Sequence, residues 1–169
     1  DDYTVYEIDG EPIVDFYQRY LGSGSEPAVA NPLAILDEET GRYFLRAPMQ
    51  YDETDGSATF FGSIPQGATV QLTMATTEEI LSGTAASVAE ALAGFPGDGT
   101  PEAALIASCA VRSFLLGTRT RGEIERIRTG LGQDLPVSGF YAFGEIAPLG
   151  AESTPRFHNE TCVTVLIGT

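Results

Sequence analysis

The stretch that decides the fold lies near the end of the chain and reads VSGFYAFGEIAPLG (137–150), a polar link, and FHNETCVTVLIG (157–168). Its two apolar parts, Val137–Phe143 and Cys162–Ile167, have the composition of buried β-strands. The segment between them contains the only histidine of the chain and a glutamate that directly follows a glycine. Because binding and catalytic groups concentrate on loops held by rigid strands, we expect this segment to carry the functional site.

Three helices are predicted on the amino-terminal side of this stretch. The first begins after Pro12, where apolar residues recur at helical spacing from Ile13 to Leu21. The second and third begin at capping boxes, Thr76–Glu79 and Thr120–Glu123, and each is followed by apolar residues at helical spacing. In a capping box, a threonine and a glutamate three residues later bind backbone N–H groups of the first turn.

Short strands are predicted for much of the remaining chain. Val5–Ile8 is a strand-like segment ahead of the first helix. From Pro32 to Thr73 apolar residues alternate with polar ones and turn residues recur, which predicts an antiparallel meander of about four strands. Ala104–Cys109 is a continuous apolar run, the pattern of a strand buried on both faces.

The order of these elements predicts one domain of the α+β class. It fits an α/β sandwich-like arrangement, in which about three helices pack against a mixed, largely antiparallel sheet. No segment of residues 1–169 has the length or composition of a linker, so a single domain is expected. The chain lacks an initiator methionine, and we therefore expect it to be a piece of a longer protein.

The charge of the chain disfavours two classes of partner. The formal net charge is −15, and all nine basic residues are arginine. So acidic a surface repels the phosphates of nucleic acids and of anionic membranes. No apolar run approaches the roughly 18 residues that cross a bilayer, so no membrane insertion is expected.

The two cysteines, Cys109 and Cys162, both lie in apolar strand-like runs. Two isolated thiols do not make the disulfide framework of a small secreted domain, and buried free thiols in a reducing cytoplasm are expected. A single bridge between them stays open as an alternative, because both strands could belong to one sheet.

Two candidate groups follow from charge close to apolar strands. Arg112 lies just after Cys109, where its guanidinium could lower the thiol pKa, hold a ligand carboxylate or pair with a structural acid. Glu145 follows a predicted strand, and a glutamate is almost never buried without a partner. That partner would be either Arg112 or the ammonium group of a ligand.

His158 leaves several roles open: general base, metal ligand or hydrogen-bonded core residue. A metal site is disfavoured because the chain offers no closely spaced pair of ligands. A thiol hydrolase could be composed of Cys109, His158 and either Asn159 or Glu145, but no nucleophile motif surrounds the cysteine. The chain has no lysine, which excludes Schiff-base chemistry, and we predict no cofactor.

Three segments resemble the C-terminal half of the FIST (F-box and intracellular signal transduction) sensory domain: ASCAVR (107–112), SGFYAFGEIAPLG (138–150) and FHNETCVTVLIG (157–168). The opening VYEIDGEPIVDFYQRYLG and the later PLAIL and SIPQGATVQL are similar to the same family. The resemblance therefore extends from Tyr3 to Gly168.

This resemblance implies a cytoplasmic sensory domain that binds a small molecule, such as an amino acid or a related metabolite, rather than an enzyme. It implies two further partners, an upstream FIST N-terminal half and a signalling output module. Glu145 would bind the ligand ammonium and Arg112 its carboxylate. The positions that match the family's motifs are Cys109, Arg112, Gly139, Tyr141, Gly144, Glu145, His158, Asn159 and Thr161.

The chain departs from the family's pattern in two respects. Val111 stands where the family more typically has a small residue. A ligand bound between the two FIST halves would find only part of its site in this chain. The alternatives to a ligand sensor are a protein-interaction module without a small ligand and the thiol hydrolase described above.

Overall fold

The computed structural model describes residues 2–149 and 154–169. Asp1, Gly150 and residues 151–153 of the polar link lie outside the described residues. The strands are β1 (Thr4–Val5), β2 (Glu7–Ile8), β3 (Glu11–Pro12), β4 (Leu33–Asp37), β5 (Arg42–Arg46), β6 (Pro48–Tyr51), β7 (Ala58–Phe60), β8 (Val70–Leu72), β9 (Pro101–Cys109), β10 (Val137–Ala142), β11 (Glu145–Ala147), β12 (Arg156–His158) and β13 (Cys162–Gly168). The α-helices are α1 (Ile13–Leu21), α2 (Thr77–Ala93), α3 (Ala110–Leu116) and α4 (Thr120–Leu131).

These elements confirm the α+β class. All three predicted helices are present, and a fourth, the seven-residue helix α3, follows β9 directly. The chain divides into two compact units, Asp1–Met74 and Ala75–Thr169, called here the amino-terminal and carboxy-terminal units. The single-domain organisation expected from the sequence remains a prediction. Within the described residues, no helix is both long enough and apolar enough to cross a membrane.

The amino-terminal unit contains two three-stranded antiparallel sheets, with strand orders β1-β7-β6 and β5-β4-β8. The prediction of one meander was therefore wrong in its connectivity. Between β5 and β6 the chain passes through the fully buried Ala47. Pro48 then begins β6. Because a proline has no backbone N–H, it cannot donate a hydrogen bond to β5. Instead β6 pairs with β7.

Helix α1 supplies part of the core of this unit. Its apolar face buries Ile13 and Tyr17 completely, together with Leu33 of β4 and Phe60 of β7. The hydroxyl of Tyr17 donates a hydrogen bond of 2.8 Å to the carbonyl of Asn31, so its polar end is satisfied inside the unit. Of the aromatic residues on this helix, Tyr17 is thus part of the core, whereas Tyr20 is exposed.

The carboxy-terminal unit is built on a mixed sheet of order β10-β9-β13. Strand β9 runs parallel to β10 and antiparallel to β13. Val88 of α2 and Ile127 of α4 pack on Ile106 of β9, which makes the core of this unit. The mixed sheet covered by helices was expected from the sequence, and this unit contains it.

Strand β9 is buried on one face only, so the prediction of burial on both faces was wrong. Ala104, Ile106 and Ser108 are buried, whereas Leu105 is 38% exposed. In the register of the sheet, Val165 lies directly opposite Leu105. Phe140 of β10 lies opposite Ala107, which is two residues from Leu105 on β9 and therefore points to the same face. Residues opposite each other also share a face, so Phe140 and Val165 lie on the exposed face together with Leu105. The face turned away from the core is therefore apolar and exposed.

One of the two predicted capping boxes is confirmed. Thr76 and Glu79 exchange hydrogen bonds as the box requires, and α2 begins at the next residue. Helix α4 instead begins at Thr120 itself, and its N-cap residue makes no side-chain capping bond. The carboxylate of Glu123 is bound to Arg112 in the core and is not available to the helix terminus.

The segment between β10 and β13, which includes the polar link, contains more structure than the sequence indicated. Glu145–Ala147 and Arg156–His158 form the antiparallel pair β11–β12. Each strand has only three residues, too few for an alternating pattern to be recognised. This short hairpin is what positions most of the candidate residues described below.

We predict that Gly139→Ala destabilises the carboxy-terminal unit. A Cβ at this position would lie 2.5 Å from the carbonyl oxygen of Ile106, a backbone atom that cannot rotate away. Overpacking of this kind costs about 1–3 kcal/mol of unfolding free energy, measurable by urea denaturation. Ser138→Ala, at the exposed neighbouring position of β10, serves as the control and should change stability by less than about 0.5 kcal/mol.

Candidate functional site

The candidate residues from the sequence come together at one end of the carboxy-terminal sheet. Cys109 is the last residue of β9, and its strand partner Ala142 is the last residue of the parallel strand β10. The backbone N–H of Cys109 donates a 2.9 Å hydrogen bond to the carbonyl of Thr161, just before β13. Glu145 begins β11 after a link of two residues that follows β10. Carboxyl ends of parallel strands are where α/β sheets present ligand sites.

The hairpin β11–β12 places Glu145 directly opposite His158. Gly144 precedes this pair, and a Cβ on it would overlap the ring of Phe157. The glycine therefore has a steric role, since it lets the phenylalanine of one strand close over the backbone of the other. This is the physical reason for the glycine-glutamate sequence that the family resemblance pointed to.

Glu145 is a buried carboxylate with only one of its oxygens satisfied. Its side chain is 3% exposed. Oε2 accepts a 2.8 Å hydrogen bond from the hydroxyl of Thr161. Oε1 is buried and has no hydrogen-bond partner within residues 2–149 and 154–169. A buried oxygen without a partner is costly, and such a group in a protein calls for an explanation.

Glu160 is half-buried and is a second carboxylate with a buried oxygen, which the sequence did not single out. It lies in the turn between β12 and β13 with φ at +61°, the left-handed region that non-glycine residues seldom adopt. Its Oε1 is also buried without a hydrogen-bond partner in the described part of the chain. In the sequence it is one member of a polar run, and such runs are typical of solvated turns.

His158 and Asn159 stabilise the turn that carries Glu160. His158 is buried, and its Nε2 lies 2.9 Å from the carbonyl oxygen of Ala147, at the end of β11. Asn159 is also buried and its amide donates to the carbonyl of His158. These contacts give both residues a positioning role between the two strands of the hairpin.

Arg112 forms the electrostatic centre of the unit, and its partner is Glu123. Its Nη2 and Nε lie 2.8 Å and 3.0 Å from Oε1 of Glu123. Nη2 also donates to the carbonyl of Ile80 at 2.9 Å and to the hydroxyl of Thr84. Both charged side chains are nearly inaccessible. The sequence left a ligand carboxylate and a structural acid open as partners of Arg112. In the structure its partner is an acid of the protein itself, Glu123.

The remaining oxygens and donors of this network are also satisfied. Ser108 and Thr84 donate to Oε1 of Glu123. The Tyr141 hydroxyl donates to Oε2 at 2.8 Å. The guanidinium atom with least engagement is Nη1 of Arg112, which has a 3.5 Å contact with the carbonyl oxygen of Glu160. Arg112 therefore connects the buried ion pair to the turn of the candidate site.

The two cysteines are free, and the register explains why they do not form a bridge. Cys162 of β13 lies opposite Ser108, one residue before Cys109 on the neighbouring strand. Because side chains alternate along a strand, the two thiols point to opposite faces of the sheet. Within the described residues, no group of three histidine, cysteine or acidic side chains is arranged to hold a metal ion.

The profile of the FIST C domain matches residues 14–148 of the chain. The chain belongs to the FIST C domain family. The match includes Cys109, Arg112, Tyr141 and Glu145, and it ends before the turn that carries His158 and Glu160. Comparisons with curated proteins and with solved structures found no match. The family assignment thus rests on the profile, over a span shorter than the resemblance from Tyr3 to Gly168.

Burial dominates the electrostatics of the candidate site in this FIST C domain. It raises the pKa of Glu145 to about 7, against the hydrogen bonds from Thr161 and the positive charge of Arg112. It raises the pKa of Glu160 to about 8, again opposed by Arg112. Perturbed carboxylates of this kind concentrate at functional sites.

The neighbouring groups are held in defined protonation states. Burial raises the pKa of the Cys109 thiol, and the negative charges of Glu145 and Glu160 add to this effect. Burial and the hydrogen bond to Glu123 raise the pKa of Tyr141 to about 12. Burial opposes ionisation of Glu123, but the Arg112 hydrogen bonds and charge outweigh it and lower the pKa of that carboxyl.

We predict that Glu123→Gln strongly destabilises the carboxy-terminal unit. The change leaves the Arg112 guanidinium as a buried charge without an anion, which typically costs about 3–5 kcal/mol of unfolding free energy. Glu125→Gln is the matched control, because its side chain on the same helix is exposed and pairs with Arg121 at the surface. Urea denaturation that gave both variants the same small loss would contradict a structural role for the buried pair.

We also predict that the stability of this unit falls as pH rises from about 4.5 towards about 8. Glu145 and Glu160 have folded-state pKa values of about 7 and 8 against an ordinary value of 4.5. In that window the unfolded chain releases protons that the folded chain retains, so rising pH favours unfolding. The double variant Glu145→Gln, Glu160→Gln should flatten this dependence. A wild-type unfolding free energy that is constant or increases across the window would refute the prediction.

Proposed function

We propose that this FIST C domain is the sensory part of a signal transduction protein and that it binds a small ligand through an ammonium group. The observation that carries the proposal is that Oε1 of Glu145 and Oε1 of Glu160 are each buried without a hydrogen-bond partner among residues 2–149 and 154–169. An ammonium group brings three N–H donors and a positive charge, the two things that these oxygens lack. The site lies at the strand ends where α/β sheets commonly bind ligands.

The charge balance of the site supports a cationic ligand. The positive charge of Arg112 acts on both carboxylates, but Arg112 is already neutralised by Glu123. Neither Glu145 nor Glu160 has an ion pair with the described residues. Burial makes the charged form of each carboxyl group unfavourable, so each one keeps its proton to a higher pH. This is why both pKa values are raised. A bound cation would replace that proton.

An amino acid or a related metabolite is the ligand class that we propose. The ammonium end would meet Glu145 and Glu160, and the carboxylate end would meet Nη1 of Arg112, its least engaged nitrogen. Cys109, Tyr141, His158, Asn159 and Thr161 would line or position the site. The same charge pairing was inferred from the sequence, with Glu145 as its only carboxylate.

The larger context is part of the same proposal. We propose that the domain works in the cytoplasm beside a FIST N-terminal half and that ligand binding is passed on to an output module. Cytoplasmic placement agrees with two free cysteines, one of them buried. We propose no catalytic use of Cys109, because its raised pKa keeps the thiol protonated near neutral pH, whereas a nucleophilic cysteine works as the thiolate.

A protein-interaction function is the second candidate, and one observation favours it. Leu105, Phe140, Val165 and Ile167 are exposed apolar side chains on one face of the β10-β9-β13 sheet. Contiguous exposed apolar residues mark surfaces that bind another protein. The FIST N-terminal half is the partner that we propose for this face, and such an interface is compatible with the ligand site at the strand ends.

The test is a thermal-shift and calorimetry screen of the chain against the common amino acids and related amines. We expect at least one amine to raise the melting temperature of the wild-type chain and not that of Glu145→Gln. Near pH 7, binding should release protons, because a cation stabilises the ionised carboxylates whose pKa values are about 7 and 8. The apparent binding enthalpy should therefore depend on the ionisation enthalpy of the buffer.

The controls separate a ligand site from a structural ion pair. Glu125→Gln removes a surface carboxylate of the same unit and should leave ligand binding intact. If Glu145→Gln unfolds without ligand, the carboxylate is structural and the proposed contact fails. A screen in which no amine binds, or in which binding is independent of Glu145, would move the assignment to the interaction function.

A further inference from the structure

The amino-terminal unit contains a concavity of about 1110 Å³. It is lined by residues 4–10, by Phe16, Tyr20 and Leu21 of helix α1, and by the segment from Ile64 to Met74. It is larger than the roughly 300–1,000 Å³ of a pocket for a small molecule. A groove of this size has room for an elongated ligand. None of the candidate residues of the carboxy-terminal unit lines it.

Strand β8 is the edge of its sheet, and it lies in this groove. The sheet order β5-β4-β8 gives β8 a single neighbour. Thr69 and Thr73 direct their backbone groups to that neighbour, with hydrogen bonds of 3.0 Å to Leu36 and to Pro32. Because backbone groups alternate sides along an antiparallel strand, the N–H and C=O groups of Val70 and Leu72 point away from β4.

Those outward-pointing groups are a template for one more strand. An edge strand presents a row of unpaired donors and acceptors to any extended chain of suitable length. Val70 and Leu72 together offer two N–H donors and two carbonyl acceptors, and both residues line the groove. Peptide recognition by strand addition uses this kind of edge.

Exposed aromatic and thioether side chains border the same groove. Tyr6 and Tyr20 are more than half exposed, as is Met74 at the end of the β8 segment. Phe16 packs edge-on against Tyr20 with ring centroids 5.0 Å apart, which fixes these rings on α1. Rigid rings and a methionine are typical of surfaces that contact a peptide.

The charged residues that line the groove are all acidic. They are Asp2, Glu7 and Asp9, and none of the residues lining it is an arginine. The chain as a whole carries a net charge of −15. Such a field attracts a basic partner and repels an acidic one.

We propose that this groove binds an extended, basic peptide segment of a partner protein, which adds to β8 as a new antiparallel or parallel strand. The backbone groups of Val70 and Leu72 supply the hydrogen bonds. The aromatic residues of the groove contact the apolar side chains of the peptide. Asp2, Glu7 and Asp9 select for arginine or lysine at the alternate positions. This inference does not depend on the proposed ligand site, since all of its residues belong to the amino-terminal unit.

The experiment measures fluorescence anisotropy of a labelled peptide of about ten residues with alternating valine and arginine. Alternation places the two residue types on opposite faces of the added strand. We expect saturable binding by the wild-type chain. Val70→Pro removes one groove-facing donor, and edge strands tolerate proline at such positions. It should weaken binding about fivefold or more, the usual effect of one lost hydrogen bond.

Two comparisons separate strand addition from general attraction to an acidic protein. Glu7→Gln with Asp9→Asn should weaken binding, whereas Glu38→Gln with Glu53→Gln removes the same charge outside the groove and should not. A peptide of alternating valine and glutamate should not bind, nor should the valine-arginine peptide with methylated backbone amides. Circular dichroism confirms that each variant is folded. Absence of binding, equal binding of the methylated peptide or equal effects of the two charge variants would overturn the proposal.

Discussion

The ion pair of Arg112 with Glu123 is the interaction on which the carboxy-terminal unit depends. Two charges removed from water are tolerated only when both are matched and their remaining donors and acceptors are used. Ile80 and Thr84 of α2, Ser108 of β9 and Tyr141 of β10 meet this demand. Together with α3 and α4, which carry the ion pair, five elements are thereby held in one arrangement at the carboxyl end of the sheet. Because the carboxylate of Glu123 binds Arg112, it does not cap the first turn of α4, and α4 has no capping box.

The neutralised arginine also explains the character of the candidate site. Because Glu123 takes the charge of Arg112, the carboxylates of Glu145 and Glu160 are buried near a cation that is already matched. Their raised pKa values follow from this geometry. This end of the sheet therefore combines a buried ion pair, which makes it rigid, with two carboxyl groups that have no cationic partner among the described residues. This combination is suited to a site whose state changes with a ligand.

The sequence was most informative where a pattern is local. The capping box at Thr76, the amphipathic face of α1 and the strands on either side of the β11–β12 hairpin follow from propensity and periodicity, and the structure contains them. The capping box at Thr120 was wrong because a partner in space took its glutamate. The two sheets of the amino-terminal unit and the exposed face of β9 were missed for a related reason. Strand pairing and one-sided burial depend on contacts between distant residues.

The sequence by itself determined the α+β class, the family and most of the residues at the candidate site, because motifs and periodicities are properties of neighbouring residues. Only the tertiary structure decided the partner of each charge. It paired Arg112 with Glu123, set the two cysteines on opposite faces of the sheet and buried an oxygen of Glu160, which with Glu145 acts on the thiol of Cys109. The physical reason is that burial and pairing set the free energy of a charge, and both depend on which distant segments the fold brings together.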